Sequence, residues 1–328
     1  MALAYGKKPF TPPSVAVRMS QQLCDLAGLW MDEEGELLLW GWDCYTKKML
    51  LKEGYDKSLM PTDEELETLR ILSNRKTFVP LLRNLREISN TVGESMYVDN
   101  YDALAELMSK QRNKVVLKAP WSGSGRGVRM VDTTAWKSKS SDSLWAKRII
   151  DVQGGIMLEP FYNKKVRDFA MEFSYDFHLD KPEIKYLGLS LFRNSNGGNA
   201  YEGNIVASEE QKVQLLENYI NRQQIEEIKE KIIPMLIRTL SSLRISTPFG
   251  VDMMIVKTAK GYKIHPCVEV NLRRTMGYLA IKLYEQSVVN NNSKRQINYE
   301  TDFIGYFNVD VHRGKWTICE SGMESRQW

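Results

Sequence analysis

The first third of the chain carries hydrophobic residues mainly at helical spacing. Thr62 and Glu65 form an S/T-x-x-E capping box, which predicts a helix over residues 63–72. Other stretches of this region predict further elements, over residues 14–26 (helix), 35–42 (strand or buried apolar segment), 76–88 (helix) and 102–110 (helix with an acidic first turn).

From residue 114 onward the spacing is typical of β-strands separated by helices. Strands are predicted over residues 114–119, 128–131, 155–160, 167–178, 183–193, 249–257, 262–271 and two within 306–321 that turn at Arg313 and Gly314. Helices are predicted over residues 136–151 and 209–243, with a break or kink at Pro234 in the second. Residues 194–204, rich in Gly and Asn, predict a loop. The fold class expected from this succession is α+β (mixed α/β).

The composition is that of a globular protein with a full hydrophobic core. The 328 residues are 43% hydrophobic and 26% charged. The net charge of +4 comes from 45 basic and 41 acidic residues spread along the chain, an excess too mild to indicate nucleic-acid binding. No apolar run approaches the roughly 20 residues of a membrane helix, and the start lacks the apolar region of a signal peptide. We therefore expect a cytoplasmic protein without nucleic-acid or membrane partners, and a homodimer is compatible with the sequence.

Cysteines and histidines do not form a zinc or nucleophile pattern in the sequence. The four cysteines are far apart, without a C-x-x-C pair, and the three histidines are isolated: Cys24, Cys44, Cys267, Cys319, His178, His265 and His312. Each histidine is expected to be a structural or surface residue.

A glycine-rich loop follows the predicted strand that ends near Lys118. The loop consists of Ser122, Gly123, Ser124, Gly125, Arg126 and Gly127. Its glycines leave backbone N–H groups free to contact phosphate, and Lys118 adds a charge that reaches the same phosphates. The spacing is neither a Walker A loop nor a Rossmann fingerprint, because the loop leads into a strand. Without the lysine, a mobile hairpin turn would explain the loop as well as phosphate binding does.

The predicted late hairpin carries three oxygen-bearing side chains. If residues 258–261 form a four-residue loop, Asp252 lies opposite Cys267, and Glu269 and Asn271 lie on the same face as Asp252. Carboxylate and amide oxygens suit Mg²⁺. An exposed polar strand face is the alternative interpretation, and a loop of three or five residues would remove the site. The following Arg273 and Arg274 favour a site for phosphate or a substrate carboxylate.

Together these features resemble the ATP-grasp superfamily. Its pattern has a lysine before a glycine loop, an apolar strand with a glutamate, and a late Asp…Glu-x-Asn hairpin, matched here by Lys118, Glu159 and the trio of the late hairpin over roughly residues 70–280. The resemblance implies two α+β subdomains that sandwich the nucleotide. It also implies a short N-terminal region (1–72), a helical lead-in (73–113), a glycine-loop subdomain (114–162) and a C-terminal subdomain (163–328).

The resemblance also implies roles for individual residues. Glu159 would contact the adenine edge, Asp168 would lie near the ribose or phosphates, and Lys76 would be the first nucleotide lysine. Lys76 and Asp168 could equally be solvated charges. Arg193, Arg273 and Arg274 are the candidates for the substrate carboxylate and the transferred phosphate.

The implied activity is that of a carboxylate–amine ligase. ATP is the co-substrate with one or two Mg²⁺ ions, a carboxylate is activated as an acyl phosphate, and an amine or similar nucleophile displaces phosphate. Residues 194–204 would close over the acceptor or form a surface connection. The alternatives are a small-molecule kinase that uses the same site and a non-catalytic ATP-binding module.

Overall fold

The computed structural model describes residues 2–6, 8–14, 17–18, 21, 39–123, 127–178, 181–194, 201–291, 305–310 and 315–320. Over these ranges the strands form two sheets, one of four strands and one of seven, and every strand pair is antiparallel. The expected mixed α+β class is confirmed. No helix in the same ranges is both long and apolar enough to cross a membrane.

The helices lie on both sides of the larger sheet and on one side of the smaller sheet. They are α1 (Cys44–Lys52), α2 (Asp63–Leu72), α3 (Val79–Leu85), α4 (Tyr101–Lys110), α5 (Ser141–Gln153), α6 (Glu209–Glu217), α7 (Arg222–Thr239) and α8 (Met276–Asn291). The capping box predicted for α2 is present, with Thr62 and Glu65 each accepting a backbone N–H of the other.

The smaller sheet separates an apolar face from a polar one. Its strands are β1 (Met96–Val98), β2 (Val115–Lys118), β3 (Val128–Val131) and β4 (Ile156–Pro160), in the order β1-β4-β2-β3. Leu117 and Leu158 pair across β2 and β4 and are buried against α4 and α5. Because side chains alternate along a strand, Lys118 and Glu159 lie on the other face. The sheet includes β1, which falls in the stretch predicted as a helical lead-in.

The larger sheet also has one apolar and one polar face. Its strands are β5 (Lys165–Asp176), β6 (Glu183–Asn194), β7 (Tyr201–Val206), β8 (Thr247–Thr258), β9 (Gly261–Asn271), β10 (Gly305–Asp310) and β11 (Lys315–Glu320), in the order β11-β10-β7-β6-β5-β8-β9. Phe169, Met171 and Val251 belong to the main core with residues of α2, α3 and α7. The alternate positions Glu172 and Asp252 form the polar face, on which α8 packs.

Two predicted helices begin later than expected. In place of one helix over residues 76–88 there is a 3₁₀ turn, Arg75–Phe78, followed by α3 with Pro80 in its first turn. The N–H groups of the first helical turn have no acceptor within the helix, so a proline, which lacks an N–H, is tolerated there. Pro80 therefore marks the start of a new helix. The helix predicted from residue 136 begins at Ser141, because Ser140 accepts the Ser143 N–H as its N-cap.

Two other predictions in the C-terminal half were wrong in position. The helical stretch 209–243 breaks at residues 218–221, where Asn221 starts α7 with a capping box, while Pro234 lies inside α7. Residues 201–204 of the predicted loop belong to β7, which pairs with β6 and with β10. The partner strand β10 lies far along the chain. The local Gly/Asn-rich sequence therefore could not indicate that residues 201–204 would pair with it.

Some predictions fall on residues outside the described ranges. They concern Ser124, Gly125 and Arg126 of the glycine loop, the turn at 313–314, and residues 195–200 of the predicted loop. Ser14, Val17, Arg18 and Gln21 are helical, in agreement with the predicted helix, and the other residues of 15–26 are not described. Of the segment 35–42, only residues 39–42 are described, and they are not a strand.

Candidate functional site

Lys118 joins the polar face of the smaller sheet to the edge of the larger sheet. Its Nζ lies 2.6 Å from Glu159 Oε2, with side chains only 9% and 10% exposed. The same Nζ lies 3.4 Å from the carbonyl oxygen of Val268 on β9. Ser95 donates a hydrogen bond of 2.9 Å to the other oxygen of Glu159. Lys118 and Glu159, both predicted to bind the nucleotide, are therefore in direct contact in the cleft between the sheets.

The base of the glycine loop is held in place by its flanks. The Ala119 N–H donates to the Gly127 carbonyl at 2.8 Å, and a side chain at Gly127 would overlap that of Ser122. Trp121 donates from its indole to the Arg70 carbonyl at 2.8 Å. These contacts hold the base of the loop beside Lys118, and none of the residues that the structure describes lies within 4 Å of a Cβ position at Gly123.

Arg75 links the base of this loop to the hairpin of β8 and β9. The sequence did not predict it as a site residue. Its guanidinium donates to the Ala119 carbonyl at 2.5 Å, to Ser122 Oγ at 2.7 Å and to Glu269 Oε1 at 2.7 Å. The Arg75 side chain is only 7% exposed. A buried arginine that contacts both halves of a cleft is suited to bind an anion placed there.

The neighbouring Lys76, which the sequence favoured, is exposed. Its Nζ lies 4.9 Å from the centroid of the Tyr97 ring, on the same face of the smaller sheet as Lys118. The two basic residues are adjacent in sequence, and only the 3₁₀ turn decides which of them enters the cleft. The sequence contained the basic pair, but no signal that distinguished its members.

The hairpin of β8 and β9 brings the three predicted metal ligands together. The predicted pairing of Asp252 with Cys267 was wrong, because Asp252 pairs with Glu269. Between this pair and the pair Met254–His265 the register shifts by two residues at a bulge that contains Pro266, which has no N–H for the ladder. A shift of two preserves strand parity, so the shared face was predicted correctly.

The polar contacts of the trio connect it to Arg273. The Asn271 side chain donates to Asp252 Oδ2 at 3.1 Å, and Arg273 donates to Asn271 Oδ1 at 3.0 Å. Burial raises the pKa of Asp252 to about 7, helped by repulsion from Glu269 and opposed by Arg273. Two carboxylates whose charges repel in a buried pair are stabilised by a cation.

The donor set fits a magnesium ion that is shared with a nucleotide. The described residues contain no group of three or more His, Cys, Asp or Glu side chains arranged as a metal cage. Mg²⁺ is commonly held by one or two carboxylates together with phosphates and waters, so Asp252, Glu269 and Asn271 suffice. The Arg75 guanidinium on Glu269 shows that this carboxylate already accepts a cation.

The other predicted site residues lie around this centre with different partners. Asp168 shares the face of Asp252 and accepts from Lys165 and Asn194, at 2.5 and 3.0 Å. Arg193 pairs with Glu202 at 2.7 Å. The backbone N–H of Arg274 donates to the Trp40 carbonyl at 2.8 Å and its guanidinium donates to the Leu39 carbonyl, so it anchors the segment before α1. Of the three arginines predicted for the substrate, Arg273 is the one that contacts the metal trio.

A small cavity lies between α3, β4 and β9. Its polar wall includes Arg75, Glu159 and Glu269, and its apolar wall includes Phe78 and Leu82. A second cavity continues along α3 and shares Leu82 with the first. In the first cavity, the charged wall therefore lies directly beside the apolar wall.

Comparison with known proteins supports the fold that these features imply. No protein-family profile matches the sequence, and no curated protein matches it. Among solved structures, a biotin carboxylase from Campylobacter jejuni, described as a β-γ-ATP complex, superposes with a TM-score of 0.50 at 12% identity. The match covers 82% of this chain and 58% of that chain. The chain has the ATP-grasp fold.

Two further solved structures match with lower TM-scores. N5-carboxyaminoimidazole synthetase from Staphylococcus aureus, complexed with ADP, gives a TM-score of 0.45 at 13% identity, over 80% of this chain and 61% of that chain. D-alanyl-alanine synthetase A from Vibrio cholerae gives 0.41 at 15% identity, over 69% and 62%. The chain therefore spans less than two thirds of the length of these three proteins. At 12% identity, the likeness to the biotin carboxylase shows the fold alone.

Proposed function

We propose that the chain is an ATP-dependent ligase that activates a substrate carboxylate and joins it to an amine. The observation that carries this proposal is the convergence of the loop base, Lys118 and the Asp252–Glu269 pair in one cleft, with Arg75 contacting both sides. The chain resembles the ATP-grasp superfamily in its motifs as well as in its fold.

The nucleotide end of the reaction needs neutralisation of phosphate charge. Lys118 and Arg75 supply two cations on the loop side of the cleft, and the glycine loop supplies backbone N–H groups. Glu159 is assigned to the adenine edge, and Asp168 to the ribose or phosphate side. Lys76 and Arg126 are proposed as outer charges of the same site.

The metal end is assigned to Asp252, Glu269 and Asn271. Magnesium bound there would supply positive charge to the transferring phosphoryl group. The chain's own part is to fix the two carboxylates on a rigid strand pair and to exclude water. Arg75 donates to Oε1 of Glu269, so Oε2 can face a metal while the guanidinium stays beside the proposed phosphate position.

The acceptor end is assigned to Arg273, with Arg193 and Arg274 as the further candidates. One oxygen of the substrate carboxylate attacks the γ-phosphorus, the bond to the β–γ bridging oxygen breaks, and ADP leaves. The amine then attacks the acyl carbon, phosphate leaves, and the amine proton passes to a base. Arg273 is suited to orient the carboxylate because it already lies against Asn271.

The ligase is tested by supplying Mg-ATP with pools of carboxylates and amines. Release of ADP and phosphate that requires both acceptors supports the ligase. A phosphorylated product formed with one acceptor indicates a kinase, and ATP binding without turnover indicates a binding module. The cytoplasmic location, the homodimer, the subdomain boundaries at residues 72, 113 and 162 and the number of magnesium ions stay predictions.

A further inference from the structure

Glu172 is a buried carboxyl group on the polar face of the larger sheet that the proposed reaction leaves without a role. It is only 1% exposed and lies on the central strand β5, paired with Gly250 of β8. Its Oε2 atom has no hydrogen-bond partner among the residues that the structure describes. Burial raises the pKa of Glu172 to about 8. A buried polar atom without a partner lowers the stability of the folded protein, so its presence calls for an explanation.

Two glycines make room for the Glu172 side chain. A Cβ atom at Gly250 would lie 2.8 Å from Glu172 Oε2 and 3.0 Å from Thr275 Cγ2. A Cβ atom at Gly277, in the first turn of α8, would overlap both Glu172 Oε1 and Ser190 Oγ. The start of α8 therefore rests directly on Glu172 and on the glycine beside it.

Thr275 connects this contact to the end of β9. The Thr275 side chain lies beside the Glu172 carboxyl group, since Thr275 Cγ2 and Glu172 Oε2 both lie within 3.0 Å of the position that a Cβ atom at Gly250 would take. The Thr275 hydroxyl opposes the effect of burial on the Glu172 pKa, and its oxygen accepts the Tyr278 N–H at 3.0 Å as the cap of α8. Gly250 pairs with Glu172 on one side and with Asn271 on the other. The chain thus leaves the sheet at Asn271, passes over Gly250, and meets the sheet again where Thr275 lies beside Glu172. We call residues 271–275 the arch.

The arch contains the groups that contact the metal trio. The Arg273 N–H donates to the Asn271 carbonyl at 2.8 Å, and its guanidinium donates to Asn271 Oδ1. The Asn271 amide in turn donates to Asp252. Only three residues separate Asn271 from Thr275, so the position of Thr275 limits the positions that Asn271 and Arg273 can take.

We propose that Glu172 is a positioning residue, which fixes the arch of residues 271–275 through Thr275 and thereby holds Asn271 and Arg273 in place for the metal–nucleotide complex. The inference rests on the proposed function, since it assumes a metal at Asp252 and Glu269. Outer contacts that orient metal ligands typically change metal affinity about 10- to 100-fold when removed.

The test is Mn²⁺ binding at saturating ADP, followed by electron paramagnetic resonance, together with ADP affinity in EDTA. Glu172→Ala should weaken Mn²⁺ binding at least about tenfold and leave ADP affinity in EDTA within about twofold. Glu172→Gln, which keeps an acceptor for Thr275, should restore Mn²⁺ binding to near the wild-type value. Phe173→Leu is the matched control, because it removes buried volume from the same strand on the opposite face.

The outcomes separate this inference from the proposed function. Wild-type protein that binds neither ADP nor Mn²⁺ overturns both. If wild-type protein binds both, two results for Glu172→Ala overturn the positioning role alone. One is unchanged Mn²⁺ affinity, and the other is an equal loss of ADP and Mn²⁺ affinity. If Glu172→Ala does not fold, Thr275→Val decides by the same criterion, because it removes the hydroxyl and keeps the shape of the side chain.

Discussion

Lys118 and Glu159 form an ion pair in which both side chains are almost completely buried. Nearby, Arg75 gives Glu269 a cation, and Asp252 is stabilised by Asn271 and Arg273. At the scale of single residues, Lys118 and Arg75 each have a carboxylate partner on another element. Removal of one partner leaves a buried charge, which is more damaging than removal of both.

The Lys118–Glu159 pair predicts non-additive effects on stability. Lys118→Met should lower the free energy of unfolding by about 3 to 5 kcal/mol, because the Glu159 carboxylate is left without its cation. The double variant with Glu159→Gln should recover a large part of that loss. Urea unfolding of the two single variants and the double variant measures the coupling. Additive losses would show that the pair is not coupled in the folded protein.

Glu172 predicts a pH dependence of stability. The pKa of Glu172 is raised by burial from the ordinary value of 4.5 to about 8, so the folded state holds its proton more tightly. Its contribution to stability is present below pH 4.5 and is lost as the pH rises through about 8. Glu172→Gln should therefore be more stable than wild type at pH 9, by at least about 1 kcal/mol, because it has no charge to bury.

The control for this effect is the comparison of the same two proteins at pH 4. There the Glu172 carboxyl is protonated in both folded and unfolded states, so the advantage of the glutamine should disappear. Thermal unfolding across the range checks the sign. An advantage of Glu172→Gln that stays constant from pH 4 to pH 9 would refute the assignment.

At the scale of elements, the sequence predicted the parts that have strong local signals. The capping box located α2, and alternating residues located β5, β6, β8 and β9. Local signals are absent where a partner far along the chain decides the structure, as for β7, or where the residues are few, as for β1. Because of the bulge at Pro266, Glu269 and not Cys267 pairs with Asp252. The register shift is two residues, so Asp252, Glu269 and Asn271 still share one face. The helix α8 and its contact with Glu172 had no predicted counterpart.

The close packing of α8 predicts an unusual effect of a glycine substitution. Alanine inside a helix is normally favoured over glycine by about 0.5 to 1 kcal/mol. At Gly277 the added methyl group would overlap Glu172 and Ser190, so Gly277→Ala should instead destabilise the protein by about 1 to 3 kcal/mol. Gly123→Ala is the control, because none of the described residues lies within 4 Å of the position that its Cβ atom would take. Equal urea midpoints for Gly277→Ala and wild type would contradict the packing at the start of α8.

At the scale of the whole molecule, the site exists because two sheets meet. Lys118 of β2 reaches the Val268 carbonyl on β9, and Arg75 joins the loop base to Glu269. The order of motifs along the chain was enough to predict the ATP-grasp fold, and strand parity was enough to predict that Asp252, Glu269 and Asn271 share a face. It could not predict which of Arg75 and Lys76 enters the cleft, because that depends on one turn at the end of α2. It also could not show that Arg274 anchors residues 39–40.

The joint nucleotide and metal site is tested most directly by calorimetric titration of ATP, with magnesium and with EDTA, into wild type and Glu269→Gln. Wild type should bind one ATP, and magnesium should strengthen binding about tenfold or more. Glu269→Gln should keep binding in EDTA, since Lys118 and the glycine loop are untouched, and should lose the gain from magnesium. No binding by wild type, or an undiminished magnesium gain in the variant, would contradict the account.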